Sequence, residues 1–298
     1  PVLIILQNPT IMKAILTSVC LVFIISSFQN NAVETITLDK ALALGIVKIS
    51  ATGTGDYSGH TVNLHLESSF LGPRQVIIEA GSVFRAEDPT VQDQLIPDEI
   101  ALNVMGRSSE TYPIKGYCCE RQNSAPDEST TFRFEKMDRP DLLKLCELTN
   151  HKNFDDNTLQ YAVWAVSDRY DVSTIYSDTD PRVKTLRTAI CELTNQPDTW
   201  YNKKENLVVE EDRTIRSDAE SLASDLKIHM ERGQRTFAYK VFNEAGDSTS
   251  ARKSTLTVPA AGDYTFKFTL KVMGWAKGTY TVDMYMDERK IHTYKFDV

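Results

Sequence analysis

Two changes of hydrophobic period constrain this chain more than any other feature. From His60 to Leu66 apolar and polar residues alternate, which puts Val62, Leu64 and Leu66 on one face of a strand. From Pro140 the repeat becomes helical, first with Leu142, Leu145 and Leu148, then with Val183, Leu186, Ile190 and Leu193. Alternation returns at Thr236. Tyr264, Phe266, Phe268 and Leu270 then oppose Thr265, Lys267, Thr269 and Lys271, and Tyr280, Val282, Met284 and Met286 repeat the scheme. The order predicts an α+β chain: a β-sandwich or barrel-like N-terminal domain with a helical segment, followed by an immunoglobulin-like β-sandwich. The expected divisions are a first domain over 33–200, a polar linker over 201–222 and a sandwich over 223–298.

Within the first domain, Thr37 to Leu44 predicts a short helix, and Arg74 to Glu79 and Ile100 to Met105 predict strands. Arg85 to Asp98 reads as a polar loop, and Tyr112-Pro113-Ile114 leads into a further strand. Pro140 and Pro181 sit where helices commonly open. The pentapeptide Cys-Glu-Leu-Thr-Asn closes both outer helices, at 146–150 and 191–195.

Residues 1–11 precede Met12 and read as upstream sequence. Lys13 followed by the apolar run Ala14 to Ile25 reads as a signal peptide over 12–32, too short for a stable membrane span. Cys20 follows Val19, which is too large for a lipoprotein site. The expectation is an exported chain, extracellular or held at the cell surface, with no membrane span after processing. A formal net charge of −8 and no basic run argue against a nucleic-acid partner.

Two short stretches carry candidate chemistry. Gly116-Tyr117-Cys118-Cys119-Glu120 ends a strand with vicinal thiols, and Leu159-Gln160-Tyr161-Ala162-Val163-Trp164 places one amide near a helix start. Adjacent strand residues face opposite ways, so only one of Cys118 and Cys119 can point at Gln160. Both stretches also have ordinary readings. Asn157-Thr158-Leu159-Gln160 has the form of a capping box, and a buried cysteine usually acts as a small hydrophobe.

Taken together and in this order, Tyr117-Cys118 and Gln160-x-Ala162-Val163-Trp164 resemble the bacterial surface thioester domain family, over roughly residues 45–200. In that family a Cys following an aromatic residue cross-links through its sulfur to a Gln in a Thr-Gln-x-Ala-(Ile/Val)-Trp segment. Here Leu159 stands in place of the Thr, Cys119 adjoins the expected thiol, and no wall-sorting motif follows. The resemblance implies a thioester between Cys118 and Gln160, with Tyr117 and Trp164 as covers that exclude water. It also implies an adhesin-like protein attaching covalently to an amine on an extracellular partner, helped by the free N–H groups at the helix N-terminus.

No turnover enzyme and no cofactor are expected on this reading. Consumption of Cys118 would leave Cys119, Cys146 and Cys191 either as one disulfide plus a thiol or as three buried thiols. The main alternative is a non-covalent extracellular binding or matrix protein in which Gln160 is only a cap. More remote is a Cys–His hydrolase using Cys118 or Cys119 with His151. A metal site from Cys118, Cys119, Cys146 and His151 lacks the usual C-x-x-C spacing.

Overall fold

The computed structural model describes residues 33–298. The expected upstream segment 1–11, the expected signal peptide 12–32 and Cys20 lie outside the described residues. The protein is mostly β with few helices, arranged as several sheets and a six-stranded barrel, which is the expected α+β class.

The chain opens with β1 (Glu34–Thr37) and the short helix α1 (Leu38–Ala43). The strands that follow are β2 (Val47–Gly53), β3 (Ser58–Ser68), β4 (Arg74–Ile78), β5 (Ser82–Ala86), β6 (Gln94–Ile96), β7 (Ile100–Val104), β8 (Ser109–Cys118) and β9 (Thr131–Lys136). Strands β1, β4 and β7 form one sheet, and β2-β3-β8-β6-β5-β9 close the barrel. Val62, Leu64 and Leu66 are wholly buried in its core, as their alternation requires.

The barrel wall is apolar on both faces. Phe84, Ile96 and Ile114 face one core, while Val83, Leu95 and Tyr117 pack against the helices. Those helices are α2 (Pro140–Thr149), α3 (Asp156–Ser167) and α4 (Arg182–Thr194). The repeated pentapeptide has a structural reason. Thr149 and Thr194 each donate their hydroxyl to the carbonyl four residues back, and Cys146 and Cys191 pack in the same core. Cys118, Cys119, Cys146 and Cys191 are all free and buried, so no disulfide forms among them.

The stretch expected to be a linker is instead a hairpin, β10 (Asn202–Val209) and β11 (Ile215–Met230). Its many charges suggested solvated chain, but several have fixed partners. Lys203 is buried against Asp171 at 2.5 Å. Buried Arg187 of α4 donates to Asp198 at 2.6 Å, to Asn202 at 2.8 Å and to the Thr199 carbonyl at 2.9 Å, fixing the path from helix to hairpin. The remaining strands are β12 (Gly233–Phe242), β13 (Ser248–Val258), β14 (Gly262–Lys271), β15 (Thr279–Met286) and β16 (Arg289–Asp297). The sheets β10-β11-β14 and β13-β12-β15-β16 share a core of Leu222, Phe237, Val241, Phe268, Val282 and Phe296. None of the helices in the described residues is long and apolar enough to cross a membrane.

The hairpin tip is held by Arg213, whose guanidinium donates to the carbonyls of Gly55 at 2.7 Å and Pro126 at 2.5 Å. Hydrogen bonds from a charged donor are each worth about 1.5–3 kcal/mol. Arg213→Ala is therefore expected to lower stability by about 2 kcal/mol, measured by denaturant unfolding. An unchanged unfolding midpoint would show the tip to be loose.

Candidate functional site

The site lies where β8 outruns its neighbour. Strand β3 pairs with β8 as far as Ser58 opposite Tyr117, so Cys118 has no strand beside it on that edge. The Gln160 side chain takes that place. Its Oε1 accepts from the Cys118 backbone N–H at 3.0 Å, and its Nε2 donates to the Cys118 carbonyl at 2.9 Å. One amide thus satisfies both main-chain groups that would otherwise be buried without partners. Cys118 is 0% and Gln160 1% exposed.

On the other edge, Cys118 stands opposite Gln94 of β6. A residue in an antiparallel strand directs its N–H and C=O to the same edge, and here both go to Gln160. Cys118 and Gln94 are consequently a non-hydrogen-bonded pair, the kind whose side chains approach most closely. Gln94 Nε2 donates to Cys118 Sγ at 3.0 Å. Burial pushes the Cys118 thiol up to about 12, against the lowering effect of that hydrogen bond and of the Arg213 charge.

Cys119 is also fully buried, but it packs in the helix-facing core and its backbone N–H goes to the Asp93 carbonyl at 2.9 Å. Burial raises its thiol well above the usual range. Tyr117 is buried and donates its hydroxyl to Asp156 at 2.7 Å, beside Lys115 at 2.9 Å from the same carboxylate oxygen. Trp164, one helical turn beyond Gln160, is wholly buried. It stacks on Tyr57 at 6.3 Å, meets Tyr161 and Tyr170 at 5.9 Å, and lies 5.5 Å below the Arg121 guanidinium. Ile215, Leu207 and Val209 of the hairpin complete this cluster. A cleft of about 530 Å³ lined by Arg121, Tyr170, Lys203, Glu205, Ser217 and Trp275 adjoins it.

Two expectations about the helix start are corrected. The N-cap of α3 is Asp155, which accepts from the Thr158 N–H at 2.9 Å and its hydroxyl at 2.7 Å, not Asn157. The helix begins earlier than the capping-box reading placed it, so Gln160 occupies the fifth helical position, faces Cys118 and does not reach back as a cap. For the same reason the donor on its carbonyl oxygen is the Cys118 backbone N–H and not a free amide of the first turn.

The hydrolase and metal alternatives are not assembled. His151 is exposed, with its ring 4.0 Å from Asp98, and makes no hydrogen bond to either cysteine. Among the described residues, no group of three or more His, Cys, Asp or Glu side chains is placed to hold a metal ion. Sequence reading missed Gln94, Thr61 and Tyr57. Strand β6 has three residues, so no period marks Gln94 within the stretch 85–98 that reads as a polar loop.

Glu120 adds a pH-dependent element. Burial, then the Asp93 charge, lifts its carboxyl to about 7 from 4.5, against the hydrogen bond it accepts from the Asp93 N–H at 3.1 Å. A carboxyl raised on folding contributes stability that is full below its unfolded value and lost as pH rises through the folded one. Glu120→Gln keeps an acceptor and removes the charge. The expected result is no gain at about pH 4 and a gain on the order of 1–2 kcal/mol at about pH 8, discounted for partial exposure. Melting temperatures at the two pH values measure it, and equal shifts at both would contradict it.

No protein family and no curated protein matches the chain. Among solved structures it is similar to red sea bream transglutaminase, at 9% sequence identity and a TM-score of 0.20, over 87% of this chain. The chain spans 32% of that protein's length, about a third. The neighbour's name is that of an enzyme, which runs against the expectation of no turnover enzyme, but a likeness this slight decides nothing about this chain's activity.

Proposed function

We propose that Cys118 and Gln160 form an internal thioester that captures an amine on an extracellular partner. The observation that carries the proposal is the pair of hydrogen bonds between the Gln160 amide and the backbone of Cys118, at 3.0 and 2.9 Å. They hold the acyl carbon against the residue bearing the thiol, and they aim the carbonyl oxygen at a backbone N–H. Negative charge develops on that oxygen whenever the carbonyl is attacked, and a preorganised donor at this distance stabilises it.

In the forming step, Cys118 Sγ attacks Gln160 Cδ. The C–N bond breaks, and the thiol proton leaves with the amide nitrogen as ammonia. In the capture step an amine nitrogen attacks the same carbon, the C–S bond breaks, and an amine proton returns to Cys118 sulfur. Binding becomes covalent through an ordinary amide. Burial of both residues protects the activated acyl group from hydrolysis, so an incoming amine needs the aromatic cover to open. Tyr170 and Arg121 belong both to that cover and to the adjoining cleft, which offers a route for a partner side chain.

The reading of 12–32 as an export signal puts this chemistry outside the cell, where a surface amine is the natural partner. The competing reading is a non-covalent binding protein in which Gln160 only completes the edge of β8. Intact mass separates the two. The expected result is a polypeptide lighter by one ammonia, which gains one methylamine on incubation. Cys118→Ala is expected to lose both properties while remaining folded, and Cys146→Ala to keep both. A wild-type chain of full mass, inert to methylamine, would leave the non-covalent reading.

A further inference from the structure

Gln94 is wholly buried and donates to two acceptors, Cys118 Sγ at 3.0 Å and the Gln92 carbonyl at 3.3 Å. The second contact fixes which way the amide faces. Turning it over would set Gln94 Oε1 against the Gln92 carbonyl oxygen, two acceptors with no proton between them. In the observed orientation Oε1 has no hydrogen-bond partner, and neither does the buried hydroxyl of Thr61. Leaving such groups buried and unpaired is destabilising, so a core selected for stability alone would replace them.

The surroundings are shaped to admit the amide. Thr61 is the extra residue where the β3–β8 register shifts between His60 and Val62, a bulge that turns its side chain toward β8. Gly116 lies beside it. A Cβ there would meet Thr61 Oγ1 at 2.7 Å and Gln94 Cβ at 3.2 Å, so the absence of a side chain makes the room that Gln94 occupies.

We propose that Gln94 is a positioning residue for the Cys118 sulfur, fixing the thiol from the edge opposite Gln160 and donating to the thiolate that departs when an amine captures the acyl group. This rests on the thioester reading. Sulfur carries little negative charge in the thioester and a full one as it leaves, so the Gln94 N–H stabilises the separated state more than the bonded one. The Cys118 backbone N–H serves the oxygen side of the same carbon and Gln94 serves the sulfur side. When the amine proton reaches sulfur, the neutral thiol is restored.

The test compares wild type, Gln94→Met and Gln94→Glu. Each is measured for the ammonia loss by intact mass, for the rate of methylamine incorporation from about pH 6 to about pH 9, and for melting temperature. Gln94→Met, which keeps the volume and removes the donor, is expected to slow incorporation about 10- to 100-fold, the range for one hydrogen bond to a charged group. Gln94→Glu guards against a folding defect in the first variant. Its carboxyl donates to sulfur when protonated and repels the thiolate when ionised. The ratio of its rate to that of wild type is therefore expected to fall as pH rises, a ratio in which the protonation of methylamine cancels. A wild-type chain without the ammonia loss overturns the thioester reading, and this proposal with it. A wild-type chain with the loss, beside folded Gln94 variants that react at wild-type rates across the pH range, overturns the role of Gln94 alone.

Discussion

The edge of β8 at Cys118 is the point on which the first part of the molecule depends. A barrel strand that outruns its neighbour leaves main-chain groups facing a helix layer that offers no backbone partners. Each such group costs about 1–3 kcal/mol if buried unpaired. Gln160 answers this with an amide, the one uncharged side-chain group that copies both halves of a peptide bond. The two hydrogen bonds, at 3.0 and 2.9 Å, thereby dock α3 on the barrel in a single register. Leu159, Ala162 and Val163 follow into the core.

The structural role and the proposed chemistry share the Oε1 contact, while the Nε2 contact to the Cys118 carbonyl would leave with the ammonia. An amide placed to complete a strand edge has its carbonyl oxygen on a backbone N–H, which is what an acyl-transfer centre requires. Thiol acidity does not single out Cys118. Burial also pushes Cys146 up to about 12 and raises Cys119 and Cys191. Position distinguishes it. Only Cys118 among these has Gln160 on its backbone and Gln94 on its sulfur.

What the sequence disclosed followed from periodicity. The alternation over 60–66 fixed the buried face of β3, and the apolar stripes of α2 and α4 fixed the helical layer. Periodicity failed where polar residues hold the structure. The hairpin of β10 and β11 has few fully buried positions, and its buried Lys203 makes sense only beside Asp171, which no local pattern reveals. Strand β6 has three residues, too short to show a period, so Gln94 was legible only as part of a polar loop. At α3 two capping patterns overlap, Asp155 to Thr158 and Asn157 to Gln160. The first prevails because the Asp155 carboxylate reaches both the amide and the hydroxyl of Thr158, which leaves Gln160 free for the barrel.

The aromatic cluster around Trp164 is built from segments far apart in the chain, and polar contacts decide how they meet. Tyr57 comes from the loop before β3, Trp164 and Tyr170 from α3 and its exit, and Ile215 from the hairpin. Asp171 caps the turn after α3 through the Ser173 N–H at 2.9 Å and also receives Lys203 of β10. Burial raises the Asp171 carboxyl, but the Lys203 charge and the hydrogen bonds win and hold it below the usual range. Tyr170 donates its hydroxyl to Glu205 at 2.6 Å and accepts from Ser217 at 2.9 Å, one partner on each strand of the hairpin. Buried ionic contacts of this kind add little net stability, yet removing one partner strands the other, so they favour one arrangement over near alternatives. The packing around Trp164 therefore depends on hairpin residues distant from it in the chain. Under the proposed function, a partner that displaced the hairpin tip would loosen the packing of Ile215 on Trp164.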